Sequence, residues 1–234
     1  MKSTILDKTK LVNSVFSKVY KKYDLMNDIM SFGIHRLWKN KFIEWMNPLS
    51  NSKLIDVASG TGDIAKLFSK RINNSSNIIC VEPNIEMFKE GKLNLQKYKN
   101  IKWLNAQAEK LPVKDSTFDF YTISYGIRNV TDINKALSEA FRVLKPGGRF
   151  MCLEFSKIDN EMLNFFYKKY SKAIPLIGKY IVGTSQPYEY LVSSIDQFYN
   201  QNQLVKLIVQ NGFSNVEYRN LSNGVSAIHS GWKI

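Results

Sequence analysis

The sequence predicts an α/β protein: a mostly parallel sheet of seven strands with helices on both faces, plus N-terminal helices and an inserted helical segment that cap the site. Three observations lead there. From Lys53 onward, short β-branched runs alternate with longer stretches of helical spacing. Gly and Pro fall between apolar runs rather than in linkers, and no internal repeat or low-complexity tract breaks the pattern. Strands that alternate with helices form a parallel sheet covered on both sides.

Taken in order, Lys10 to Trp45 has helical spacing, with Val12, Val15, Phe16 and Val19 on one stripe. The runs Lys53 to Val57, Asn77 to Glu82, Ile101 to Asn105, Phe118 to Ser124 and Arg149 to Phe155 read as strands. Between them, Asp63 to Arg71, Ile85 to Lys97 and Asp132 to Leu144 place apolar residues at helical intervals. Met162 to Val182 is an aromatic-rich helix, broken at Pro175 and Gly178. A helix near Gln203 to Asn211 and strands at Asn215 to Arg219 and Val225 to His229 close the chain. The expected organisation is one domain over residues 1–234. It comprises a helical cap (1–50), a binding core (53–156), a helical insertion facing substrate or membrane (157–200) and a closing helix with strands (201–234).

With 234 residues, 44% hydrophobic and 23% charged, the chain has material for a full core, which excludes a disordered tail, a collagen-like chain and a disulfide scaffold. Cys80 and Cys152 lie in apolar runs, as free thiols in a reducing compartment do. No stretch reaches the roughly 18–20 apolar residues that span a bilayer, and Met1 to Lys22 lacks the apolar core of a secretory signal, so a soluble or peripheral intracellular protein is expected. The net charge of +13 points to an anionic partner: nucleic acid, an acidic protein or lipid headgroups.

The most informative segment is Leu54-Ile55-Asp56-Val57-Ala58-Ser59-Gly60-Thr61-Gly62-Asp63. A strand ends, two glycines permit a tight turn, and a helix begins with its N–H groups toward a ligand. Glu82 ends the next strand, where a carboxylate accepts hydrogen bonds from both ribose hydroxyls. The expected ligand is a nucleoside-containing cofactor at the carboxyl edge of the sheet. Asp56 suits the cationic amino-acid end of S-adenosylmethionine and would repel a pyrophosphate.

Arg142-Val143-Leu144-Lys145-Pro146-Gly147-Gly148-Arg149-Phe150 resembles the run into the fifth strand of the class I methyltransferases, whose fold is Rossmann-like. That resemblance implies that Gln107 and Ala108 reach adenine, that Ser124 faces the cofactor, and that Ser59, Gly60, Thr61, Gly62 and Asp63 form the loop around it. Gln107 stands where an acidic residue or Asn is more usual, and Ser59 where Gly is common.

A narrower resemblance lies outside that core. The run from Tyr23-Asp24-Leu25-Met26-Asn27-Asp28 to His35-Arg36-Leu37-Trp38, the run from Arg142 to Ser156, and Ser124-Tyr125-Gly126-Ile127-Arg128-Asn129-Val130-Thr131-Asp132 are similar to the signatures of the ubiquinone/menaquinone C-methyltransferases. Ile174 to Gly178, Tyr188 to Ile195 and Gly224 to Gly231 extend the likeness over nearly the whole chain. It implies methyl transfer from S-adenosylmethionine to a ring carbon of a polyprenylated benzoquinol or naphthoquinol. A sulfonium is already a good leaving group, so no metal is required, and there is no dense His/Cys/Asp cluster.

Such a ring becomes nucleophilic as a phenolic proton departs. Arg128 and Asn129 are the candidates for stabilising the developing phenolate and orienting the other oxygen; Tyr23 is the next candidate for a quinol contact. Arg cannot itself take the proton. His35 and His229, each alone, read as structural, and Asp24, Asn27 and Trp38 as residues that fix the lid. Aromatic and aliphatic residues from Phe165 to Ile181 alternate with Lys168, Lys169, Lys172 and Lys179, a pattern shared by interfacial helices and by core helices with a solvated face. The expected location is peripheral, on the cytoplasmic face of a bacterial inner membrane or the matrix face of the mitochondrial one, with a homodimer or a quinone-synthesis complex left open. Two alternatives stand beside this reading: a methyltransferase acting on RNA or another small molecule, and a non-catalytic subunit of a quinone-synthesis assembly. Against RNA, Ser124-Tyr125-Gly126-Ile127 occupies the place of an Asn/Asp-Pro-Pro-aromatic motif.

Overall fold

The computed structural model describes residues 12, 17, 23–31, 33–158, 160–182 and 185–234. Among the described residues seven strands form one sheet: β1 (Leu54–Val57), β2 (Ile78–Val81), β3 (Ile101–Leu104), β4 (Phe118–Ser124), β5 (Leu144–Phe155), β6 (Ser214–Leu221) and β7 (Ser226–Trp232). Their order is β3-β2-β1-β4-β5-β7-β6. The first five run parallel, and β7 is antiparallel to both β5 and β6. Strand order reverses between β1 and β4, where a crevice opens beyond the carboxyl ends of the strands.

The helices are α1 (Tyr23–Ser31), α2 (His35–Met46), α3 (Asp63–Arg71), α4 (Ile85–Asn94), α5 (Ile133–Val143), α6 (Glu161–Val182), α7 (Gln186–Gln197) and α8 (Gln201–Gln210). Two buried clusters sandwich the sheet. Trp38, Phe42, Phe68, Ile174, Tyr188 and Leu191 pack on one side; Leu137, Ala140, Phe150, Leu204, Ile208 and Phe213 pack on the other. Alternation along β1 decides what meets the site: Ile55 and Val57 join the second cluster while Leu54 joins the first, so Asp56 lies on the face covered by α2 and α3.

Caps set the helix starts that matter for the site. The Asn84 side chain accepts the Met87 N–H at 3.0 Å, and Asp132 accepts that of Lys135 at 3.1 Å. Gly62 caps α3 at φ 92°, in the left-handed region that favours glycine.

Two expectations are corrected. The helix at 161–182 is unbroken, with Pro175 inside it: a proline removes one backbone donor, and burial of Ser171 and Ile174 anchors the turn before it. β5 begins at Leu144, not Arg149. The Pro-Gly-Gly stretch is tied to the residue just past the last strand, Gly147 N–H donating to the Lys233 carbonyl at 2.7 Å and Lys233 N–H to that of Gly148 at 3.0 Å.

Candidate active site

The loop after β1 leaves the sheet through Ala58 at φ 52°, and the loop after β4 through Tyr125 at φ 54°. Both exits turn into the left-handed region, which residues other than Gly, Asn and Asp seldom adopt. They come so close that a Cβ on Gly126 would stand 2.5 Å from the Ala58 Cβ. Between them lies a cavity of about 320 Å³ whose lining includes Gly60, Glu82, Gln107, Ala108, Gly126 and Asn129. A second, smaller cavity is lined by Asp56, Ser59, Thr61, Asp63 and Ser124, together with Asn27 and Lys39 from the N-terminal helices. Of the ten residues the sequence assigns to the cofactor and the loop around it, nine therefore line one cavity or the other. Gly62 lines neither; the space beside its Cα is taken by Leu95 and Trp103, so its part is the turn itself.

At the first cavity, the Glu82 Oε2 accepts the Gly60 N–H and its Oε1 the Asn84 N–H, both at 2.9 Å. Burial pushes this carboxyl up to about 7, against the pull of those two N–H groups. Asp56 also rises to about 7 through burial, opposed by the Thr122 hydroxyl that donates to its Oδ1 at 2.7 Å. Its other oxygen, Oδ2, is buried with no hydrogen-bond partner among the described residues, as is the Ser124 Oγ. Burial works on Asp63 too, yet the Lys39 ammonium at 2.6 Å holds that carboxyl below its ordinary value.

These features fit S-adenosylmethionine. An unpartnered carboxylate oxygen suits an α-ammonium group, and the Glu82 carboxylate, lining the larger cavity beyond the end of β2, suits a pair of ribose hydroxyls. The apolar walls, Met87, Ala106, Ala108 and Val130 among them, suit an adenine ring.

Asn129 lines the larger cavity; its Oδ1 accepts the Tyr190 hydroxyl at 2.9 Å, and its Nδ2 lies 3.5 Å from the Tyr125 carbonyl. Arg128 departs from expectation. Its guanidinium is not open toward an acceptor but buried against Glu154, Nη1 donating to Oε1 at 2.6 Å and to the Tyr125 carbonyl at 2.6 Å. The reason is electrostatic: a cation this deep requires a counter-charge. Burial raises the Glu154 carboxyl, and Arg128 offsets part of that rise. Tyr23 opens α1, but its side chain, like that of Asp24, lies outside the described residues.

The histidines sit elsewhere. His35 is buried, its Nε2 2.9 Å from Asp28 Oδ1, its pKa lowered by burial and by Lys39. His229 is buried with Nε2 3.1 Å from the Gln201 carbonyl, and burial takes its pKa to about 4. Trp38 ties α2 to the segment between β6 and β7, its indole N–H donating to the Ser222 hydroxyl at 3.1 Å.

Comparison with known proteins agrees with this geometry. A model described as the ubiE/COQ5 methyltransferase family matches residues 3–233. The ubiquinone/menaquinone biosynthesis C-methyltransferase UbiE of Rickettsia bellii (strain OSU 85-389) is 53% identical over 235 residues, covering 97% of this chain and 94% of that protein. The protein of the same name from Rickettsia akari (strain Hartford) is 53% identical over 231 residues, covering 96% and 93%. Among solved structures, a SAM-dependent methyltransferase from Thermotoga maritima superposes with a TM-score of 0.66 at 22% identity over 95% of this chain and 100% of its own. Another from Aquifex aeolicus gives 0.64 at 16% identity, over 92% and 97%. Those two likenesses establish the Rossmann-like methyltransferase fold, and the family match over residues 3–233 goes further: the chain belongs to the ubiE/COQ5 methyltransferase family.

Proposed function

We propose that the protein methylates a ring carbon of a polyprenylated benzoquinol or naphthoquinol, using S-adenosylmethionine as donor. The observation that carries this reading is the family match along residues 3–233. It favours a quinone-type acceptor over RNA. Bound in the cleft, the cofactor supplies an electrophilic methyl group on a sulfonium that leaves as a neutral thioether.

The chain's own residues do the rest. Glu82 and the Gly60 loop hold the nucleoside, and Asp56 holds the ammonium. Asn129, oriented by Tyr190, presents its amide at the cavity wall beside Tyr125 and Gly126, the position from which it directs a quinol oxygen. Arg128, one residue earlier and paired with Glu154, also donates to the Tyr125 carbonyl at 2.6 Å, so this buried pair fixes the backbone that carries Asn129. Incubating the purified protein with methyl-labelled cofactor and short-tailed demethylated benzoquinol or naphthoquinol tests the reading. Label in the ring is expected, and labelling of neither quinol sinks it.

A tail that lives in a bilayer requires the enzyme to work at a membrane surface, as a peripheral protein on the cytoplasmic face of a bacterial inner membrane or the matrix face of the mitochondrial one. Among the described residues no helix is long and apolar enough to cross one. The α6 helix divides its side chains: Ile174 and Ser171 are buried, whereas Met162, Phe165, Phe166, Leu176 and Tyr180 are exposed, Tyr180 to 92%. Lys169 lies over the Phe165 ring, its Nζ 4.4 Å from the centroid. Exposed aromatics mixed with Lys suit an anionic interface. Sedimentation with anionic liposomes at low salt is expected to carry the protein down, and replacing Phe165, Phe166 and Tyr180 by Ser to reduce that fraction several-fold. Equal recovery of both proteins in the supernatant removes the membrane assignment. A homodimer or a quinone-synthesis complex is compatible with this arrangement.

A further inference from the structure

We propose that Asn27 and Lys39, on the N-terminal lid helices, are binding residues for the amino-acid end of the cofactor, so that this end is gripped from the lid as well as from the strand edge. The inference rests on the reading of the cleft as an S-adenosylmethionine site.

Asn27 carries the observation. It is 1% exposed, and both its Oδ1 and its Nδ2 are buried without a hydrogen-bond partner among the described residues. Leaving a buried polar group unmet costs about 1–3 kcal/mol, and a helix position that needs only packing is met more cheaply by Leu or Ala. The amide is not there to shape α1, because the turn is already tied by the Ser31 hydroxyl, which donates to the Asn27 carbonyl at 2.7 Å and accepts the His35 N–H at 3.1 Å. The side chain instead lines the small cavity together with Asp56, whose Oδ2 is also unmet.

Lys39 lines the same cavity from α2. Its side chain is only 8% exposed, and it spends one of three donors on Asp63. The cavity wall thus offers two acceptors, Asp56 Oδ2 and Asn27 Oδ1, and donors on Asn27 Nδ2 and Lys39 Nζ. That is the complement of an α-amino-acid zwitterion, ammonium toward the acceptors and carboxylate toward the donors. A neutral group of similar size would leave the Asp56 Oδ2 without the donor it lacks among the described residues.

Calorimetry on the full chain with two ligands provides the test: S-adenosylhomocysteine, which has the amino-acid end, and 5′-methylthioadenosine, which lacks it. Asn27→Ala and Asn27→Leu are expected to weaken S-adenosylhomocysteine by about 10-fold or more and to leave 5′-methylthioadenosine unchanged, with Lys39→Met acting in the same direction. Retained binding of the shorter ligand shows that each variant is folded. Parallel losses for both ligands, or no loss for either, overturn the assignment. A wild-type protein that binds neither ligand overturns instead the cofactor reading beneath it.

Discussion

Arg128→Ala is expected to lower turnover by about two orders of magnitude, because the backbone that carries Asn129 loses the guanidinium bonded to the Tyr125 carbonyl, while changing S-adenosylhomocysteine affinity by no more than about threefold. It is also expected to lower stability by about 3–5 kcal/mol, since Glu154 would be left buried without its counter-charge. The two effects separate through a second variant. Arg128→Met combined with Glu154→Leu removes both charges of a pair whose side chains are each 1% exposed, and well-packed apolar replacements of such pairs recover stability. Urea unfolding is therefore expected to place the double variant near the wild type, whereas its turnover stays as low as that of Arg128→Ala. Recovery of turnover would show that Arg128 serves only the fold, and an equal loss of turnover and cofactor affinity would place it in the cofactor site.

Asp56→Asn is expected to weaken S-adenosylmethionine binding by about 100-fold, or about 2.7 kcal/mol, and yet to stabilise the protein without ligand above neutral pH. The opposed signs follow from one carboxyl. Burial holds Asp56 at about 7 in the folded chain against 3.8 as its ordinary value. The unfolded chain gives up that proton near 4 and the folded chain near 7, so this group's contribution to stability is complete below about 4, declines as pH rises to about 7, and is constant above it. Ligand binding runs the other way, because an ammonium group prefers the ionised carboxylate. Affinity is expected to rise with pH up to about 7 and then level off. Glu82 titrates in the same window, so Asn at position 56 flattens the profile without abolishing it. Titration calorimetry from pH 5.5 to 8.5, with thermal melts of the ligand-free protein, checks both halves. A variant that binds as tightly as wild type removes Asp56 from the site.

Much of this was legible in the chain. The Asp56 to Asp63 run, Glu82 and the alternation of β-branched and helical segments are local signals, each carried by neighbouring residues, and their meeting at the carboxyl edge follows from the parallel sheet. What escaped is what depends on distant packing. Pro175 signals a break, but the helix runs on through it, anchored by the burial of Ser171 and Ile174. Tyr190 reaches Asn129 across 61 positions, and no periodicity reports such a bond. The Arg128 pairing was half visible: Glu154 stands alone in the apolar strand Phe150-Met151-Cys152-Leu153-Glu154-Phe155, and a lone carboxylate in such a run calls for a cationic partner, though not for a particular one. Asn27 reads in the sequence as a residue that fixes the lid; only its burial and its place in the wall of the small cavity set its amide beside Asp56.

The two backbone bonds that Glu82 accepts bear on how the loop comes to be ordered. By clasping the N–H groups of Gly60 and Asn84, one carboxylate staples the turn after β1 to the turn after β2. Fixing a residue's backbone costs about 1–2 kcal/mol of conformational entropy, and for these turns that ordering is completed as the chain folds. A nucleoside arriving at the cleft meets hydrogen-bonding groups already in register, so little of its binding free energy is diverted to organising the protein.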